Sequence, residues 1–91
     1  MLTNDQCKRL QKAGCPRIGE TPINGRVTIY YYGTVEEIMG WMDDEWGCIY
    51  LEVDNKKWKA GRSTDDRDIS GDWKTDALSA LFDLWERLEA K

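Results

Sequence analysis

Apolar and polar positions along the chain change period several times, and each change marks an element. Thr3 and Gln6 form an S/T-x-x-E/Q capping box. Cys7, Leu10 and Ala13 then recur at every third position, and Gly14 and Pro16 stop the run, which predicts a first helix over residues 4–13. Residues 15–25 read as a connection: Asn24-Gly25 is a turn dipeptide that could join a short strand near Ile18–Ile23 to the next one, and Pro22 confines that first strand to an edge at best. From Arg26 to Tyr32 β-branched and aromatic residues alternate, with Val27, Ile29 and Tyr31 on one face and Thr28, Tyr30 and Tyr32 on the other. After Gly33, a second capping box (Thr34, Glu37) opens a helix whose stripe is Val35, Ile38, Met39 and Met42. The acids Asp43-Asp44-Glu45 oppose the negative end of a helix dipole, so this helix is expected to end by Met42.

A hairpin follows, with arms at 46–53 and 56–61 and its turn at Asp54-Asn55. Ile49, Leu51, Val53, Trp58 and Ala60 fall on its inner face; Cys48, Tyr50, Glu52, Lys57 and Lys59 fall on the outer one. Residues 62–72 are polar and read as a loop ending in Asp72, a cap for a last helix over 73–90. In that helix Ala77, Leu78, Leu81, Phe82, Leu84, Trp85 and Leu88 fill one side. The predicted order is α-β-α-β-β-α: an α+β fold in which helices pack on a small antiparallel sheet of three or four strands. No internal repeat, linker or low-complexity tract interrupts it, so residues 1–91 are expected to form a single domain.

Composition narrows the functional classes. With 91 residues there is room for one modest core and little for a deep enclosed site. Hydrophobic residues at 41% and charged residues at 33% describe a folded chain. The net charge is −4, unevenly spread: residues 1–20 carry +2, residues 21–55 carry −6, and residues 56–91 are balanced. An acidic middle argues against general affinity for nucleic-acid phosphates and is compatible with a basic partner. The first residues lack the basic and apolar runs of a signal peptide, and no segment is long and apolar enough to span a membrane. Three cysteines without dense spacing suggest reduced thiols, so the expected location is the cytoplasm.

Most catalytic constellations lack their parts. The chain has no histidine, which removes ordinary Ser-His and Cys-His pairs and H-E-x-x-H zinc sites. Three widely spaced cysteines fall short of a four-thiolate zinc site. No glycine-rich phosphate loop is present. Glu36-Glu37 suits a helix N-terminus, and Asp43-Asp44-Glu45 a solvated turn. The loop Asp66-x-Asp68-x-Ser70-Gly71-Asp72 matches the opening of an EF-hand, but Ala77 stands where the bidentate Glu belongs, so at best weak calcium binding is expected. No cofactor and no catalytic residue are expected.

What stands out is the aromatic content, five tryptophans and four tyrosines. Trp58 and Trp85 have core positions by alternation and helical spacing, whereas Trp41 falls off its helix stripe and Trp46 borders acids. Three readings follow. The second-face tyrosines are packed beneath the first helix; or exposed aromatics form a protein-binding surface, with Trp41, Asp43, Asp44, Glu45 and Trp46 as contact residues; or Tyr30, Tyr32 and Tyr50 stack bases of a single-stranded nucleic acid while Lys57 and Lys59 hold phosphates. The leading expectation is a non-enzymatic interaction protein with a protein partner, with nucleic acid the weaker alternative.

Trp58-Lys59-Ala60 ending a two-stranded segment, a polar loop, and the helix A-L-x-x-L-x-x-L-W-x-x-L from Ala77 to Leu88 together resemble a pattern in small phage and prophage proteins of unassigned role. The strand–strand–helix order is similar to the partial double-stranded-RNA-binding-like fold of HicB-type antitoxins. The resemblance covers the last half of the chain. It implies a compact phage-encoded binder or inhibitor of a host protein, for example a defence enzyme, or an antitoxin-like module.

Overall fold

The computed structural model describes residues 2–64 and 68–90. The described elements are α1 (Asn4–Lys12), β1 (Ile18–Ile23), β2 (Arg26–Tyr31), α2 (Val35–Trp46), β3 (Ile49–Asp54), β4 (Lys57–Ser63), β5 (Asp68–Ser70) and α3 (Ala77–Glu89). The fold is α+β, with its strands divided between two antiparallel sheets: β1-β2, and β3-β4-β5 with β4 in the centre. No described helix is long and apolar enough to cross a membrane.

The core is organised by α3, which buries Ala77, Ala80, Leu81, Phe82, Leu84, Trp85 and Leu88. These pack with Ala60 of β4, Ile38 and Met42 of α2, and Cys7 and Leu10 of α1. Fully burying a leucine such as Leu81 or Leu84 contributes about 2 kcal/mol, so α3 supplies much of what opposes chain entropy. Both expected capping boxes form, Thr3 with Gln6 and Thr34 with Glu37. Ala13, expected on the buried stripe of α1, is exposed at the C-cap, and Cys15 takes the buried position beyond it.

The departures from the expected order have local causes. Asn24 and Gly25 adopt φ values of 50° and 77°, the conformation of a two-residue hairpin turn, so β1 forms in full and pairs with β2. In the second hairpin Asn55 and Lys56, at φ 51° and 64°, are the turn residues rather than Asp54 and Asn55. Helix α2 continues four residues past Met42 because Trp46 extends its stripe and packs against the core. The cation that its C-terminal carbonyls need comes from β4: the Arg62 guanidinium donates to the Trp46 carbonyl at 2.6 and 2.8 Å and to the Gly47 carbonyl at 3.2 Å. The stretch expected to be loop carries β5, paired with β4 through Arg62 and Ile69.

Helix α3 begins later than expected. Its cap is Asp76, whose carboxylate accepts the Ser79 N–H at 2.8 Å. The preceding residues add a bridge to β4 instead, with Trp58 and Lys74 exchanging two backbone bonds of 2.7 Å.

Candidate functional site

On the outer side of α2, Gly40 is surrounded at i−4, i−3, i+3 and i+4 by Glu36, Glu37, Asp43 and Asp44. At 100° per residue these positions share one helix face. Glycine in a helix interior costs about 1 kcal/mol relative to alanine, and here the fold makes no use of it. Gly40 is not among the glycines with positive φ, and a Cβ built on it would meet nothing within 4 Å. The result is bare, solvent-facing backbone ringed by carboxylates.

A shallow groove lies on each side of this spot. One, of about 420 Å³, is lined by Pro16, Tyr32 and Trp41, with Arg17, Glu37 and Asp44 at its polar rim. The other, of about 310 Å³, has Met39 and Ile49 as its apolar floor, between Glu36 and Asp43. In the first groove the Arg17 guanidinium donates to Glu37 at 2.7 Å. That contact, assisted by the Thr34 N–H, holds the Glu37 carboxyl below the usual carboxylate range. In the second, Asp43 accepts the Ile49 N–H at 3.2 Å, which fixes the end of α2 against β3.

The structure brings together three of the expected contact residues, Trp41, Asp43 and Asp44, around Gly40. Trp41 is half-buried, its ring 6.4 Å from that of Trp85, so one edge serves the core and another the groove. Glu45 is exposed but turned about 140° from Gly40 around the helix axis. Trp46 is half-buried against the core. Gly40 itself did not figure among the expected residues, although a mid-helix glycine with acids at all four neighbouring positions is legible in the chain.

The residues of the nucleic-acid alternative do not share a sheet. Tyr30 and Tyr32 belong to the β1–β2 unit; Tyr50, Lys57 and Lys59 belong to the second sheet. Helix α1 does not cover the tyrosines. It flanks the outer edge of β2, where Asn4 accepts the Ile29 N–H, and it leaves Tyr30 and Tyr32 exposed. Tyr50 lies over Gly61, its cross-strand partner. Lys59 instead stacks over Trp73 at 5.0 Å, beside a groove of about 320 Å³ that Lys57, Trp73 and Lys74 help to line. The sequence pattern places Trp73 in the last helix, whereas in the structure it precedes α3 and lines this groove.

Asp66 of the EF-hand-like loop lies outside the described residues. Asp68 opens β5, and the Asp72 N–H donates to Asp83 at 2.8 Å. Among the described residues no group of three or more His, Cys, Asp or Glu side chains is placed to hold a metal ion. Cys7 and Cys15 are buried free thiols, and exposed Cys48 precedes β3 at φ 59°. No protein family, curated protein or solved structure matches this chain.

Proposed function

We propose that this protein is a non-enzymatic interaction module that receives a basic segment of a protein partner on the outer face of α2. The observation that carries the reading is Gly40, a helix-weakening residue in open solvent that no internal contact requires. Backbone without a side chain lets another chain approach closely. The surrounding Glu36, Asp43 and Asp44 favour arginine or lysine, and the flanking apolar floors accept the stems of those side chains or a neighbouring hydrophobe. An arginine suits the first groove best, since its plane can stack on Trp41 or Tyr32 while its fork meets Asp44. The same binder could serve a phage against a host protein, as the C-terminal pattern suggests.

The test separates folding from binding. Gly40→Ala is expected to raise stability by about 1 kcal/mol in urea denaturation, and Gly40→Trp to leave the chain folded while closing both grooves. An array of peptides combining Arg or Lys with apolar residues is expected to bind the native chain, with affinity falling as salt rises. Binding is expected to be lost in Gly40→Trp and weakened in Asp43→Asn/Asp44→Asn. Equal binding of acidic and basic peptides, or an unaffected Gly40→Trp variant, would overturn the reading.

A further inference from the structure

The second sheet ends on the β3 side in an edge that the fold leaves unpaired. A two-residue turn makes Asp54 and Lys57 a hydrogen-bonded pair, and alternation extends this to Glu52 with Lys59 and Tyr50 with Gly61. Ile49, Leu51 and Val53 therefore turn their N–H and C=O groups away from β4. Bonds outside the ladder agree with this parity: the Trp58 N–H donates to Lys74, and the Ile49 N–H donates outward to Asp43. Among the described residues the N–H groups of Leu51 and Val53 have no acceptor. Edges are ordinarily blunted by proline, charged side chains, a bulge or a covering element. β3 contains no proline, pairs without a bulge and leaves Val53 60% exposed, and its only charges are the acids Glu52 and Asp54, which repel other acidic strands but not a basic one.

We propose that the basic partner segment binds as an added strand on the open edge of β3, alternating basic with apolar residues. This rests on the reading of α2 as the partner surface and gives the partner a conformation. Side-chain alternation specifies the incoming strand. On one face its residues meet Leu51, Val53 and the floor formed by Met39 and Ile49, which selects apolar side chains. On the other they meet Glu52 and Asp54, which stand at the open edge with their counter-charges Lys59, 3.9 Å from Glu52, and Lys57 one strand further in, so the charges nearest an added strand are acidic and favour lysine or arginine. A second copy of β3 is disfavoured in the antiparallel registers centred on Glu52 or Val53, which set these acids against their own kind.

The experiment titrates a synthetic peptide alternating Lys with Val into the isotope-labelled full chain and follows amide hydrogen exchange. At saturation, exchange at Leu51 and Val53 is expected to slow by about tenfold or more, and a peptide alternating Glu with Val should leave it unchanged. Val53→Pro, which removes an outward N–H and no ladder bond to β4, is expected to weaken the Lys-Val peptide by about tenfold or more, whereas Val53→Thr, which also changes the side chain but keeps the donor, should bind within about twofold. Should Val53→Pro fail to fold, the exchange measurement on the native chain decides alone. If the peptide binds without protecting Leu51 and Val53, strand addition is wrong; the α2 reading then survives only if Gly40→Trp abolishes that binding. Concentration-dependent pairing of the chain through β3 would assign the edge to a second copy and overturn the proposal. No binding of the basic peptide would overturn both readings.

Discussion

The two hairpins are built alike and finished differently. Each closes on a two-residue turn with both central residues at positive φ, and each places a glycine beneath a cross-strand tyrosine: Gly19 under Tyr30, and Gly61 under Tyr50. In the first hairpin α1 flanks the outer edge of β2, where Asn4 accepts the Ile29 N–H, and β1 is blunted by Pro22, which cannot donate. An isolated two-stranded sheet is marginal in water, so its stability is borrowed from α1 and from Ile18, Ile29 and Tyr31 against the core. The second hairpin is anchored by α3, β5 and the Trp58–Lys74 bridge on one side, and is left open on the other. The first hairpin thus has a device on each of its two edges, whereas the outer edge of β3 is closed only at Ile49, by Asp43.

The largest effect expected from breaking this symmetry comes from the glycines. A Cβ at Gly61 would fall 2.3 Å from the half-buried Tyr50 ring, whereas one at Gly19 would fall 2.9 Å from the exposed Tyr30 ring, which can swing aside. Gly61→Ala is expected to cost about 2–3 kcal/mol and Gly19→Ala less than about 1 kcal/mol, both by urea denaturation. Comparable costs would mean that the two sheets are equally rigid.

The turns come next. Lys56 holds a left-handed conformation that Gly25 occupies without strain, so Lys56→Gly is expected to stabilise the chain by about 1 kcal/mol, and Gly25→Lys to cost about as much. A neutral Lys56→Gly would show that the turn is held by its surroundings.

A pH-dependent effect probes the first hairpin's joint with α1. Burial pushes the Cys15 thiol from 9.0 to about 11 and the Tyr31 phenol from 10.0 to about 12. Both folded values lie above the unfolded ones. Their contribution is therefore complete below pH 9 and is lost as pH rises through about 11 and then about 12. The urea midpoint is expected to fall over that range, and Tyr31→Phe should flatten the fall more than Tyr50→Phe. A flat midpoint up to pH 12 would place these groups in water in the native state.

Much of this architecture is legible in the chain because its signals are local. Capping boxes at Thr3 and Thr34, the Asn24-Gly25 turn and the apolar stripe of α3 each specify geometry within a few residues. What escaped was set at a distance. Helix α2 runs on to Trp46 because Arg62, sixteen residues later, neutralises its end. β5 reads as polar loop because its three residues gain their identity only by pairing with β4. Asp72 and Asp76 are equivalent caps by composition, and the bridge to Trp58 decides for the second. At the candidate site Trp41, Asp43 and Asp44 were recoverable from being off the core stripe or charged. Trp46 was misplaced because the helix was cut short before it.

The β3-β4-β5 sheet is lopsided, with a six-residue strand on one margin and a three-residue strand on the other. Under the proposed docking, a strand added on the long margin leaves only the short one exposed, and among the described residues three positions template a further strand poorly, which works against fibre growth at this sheet.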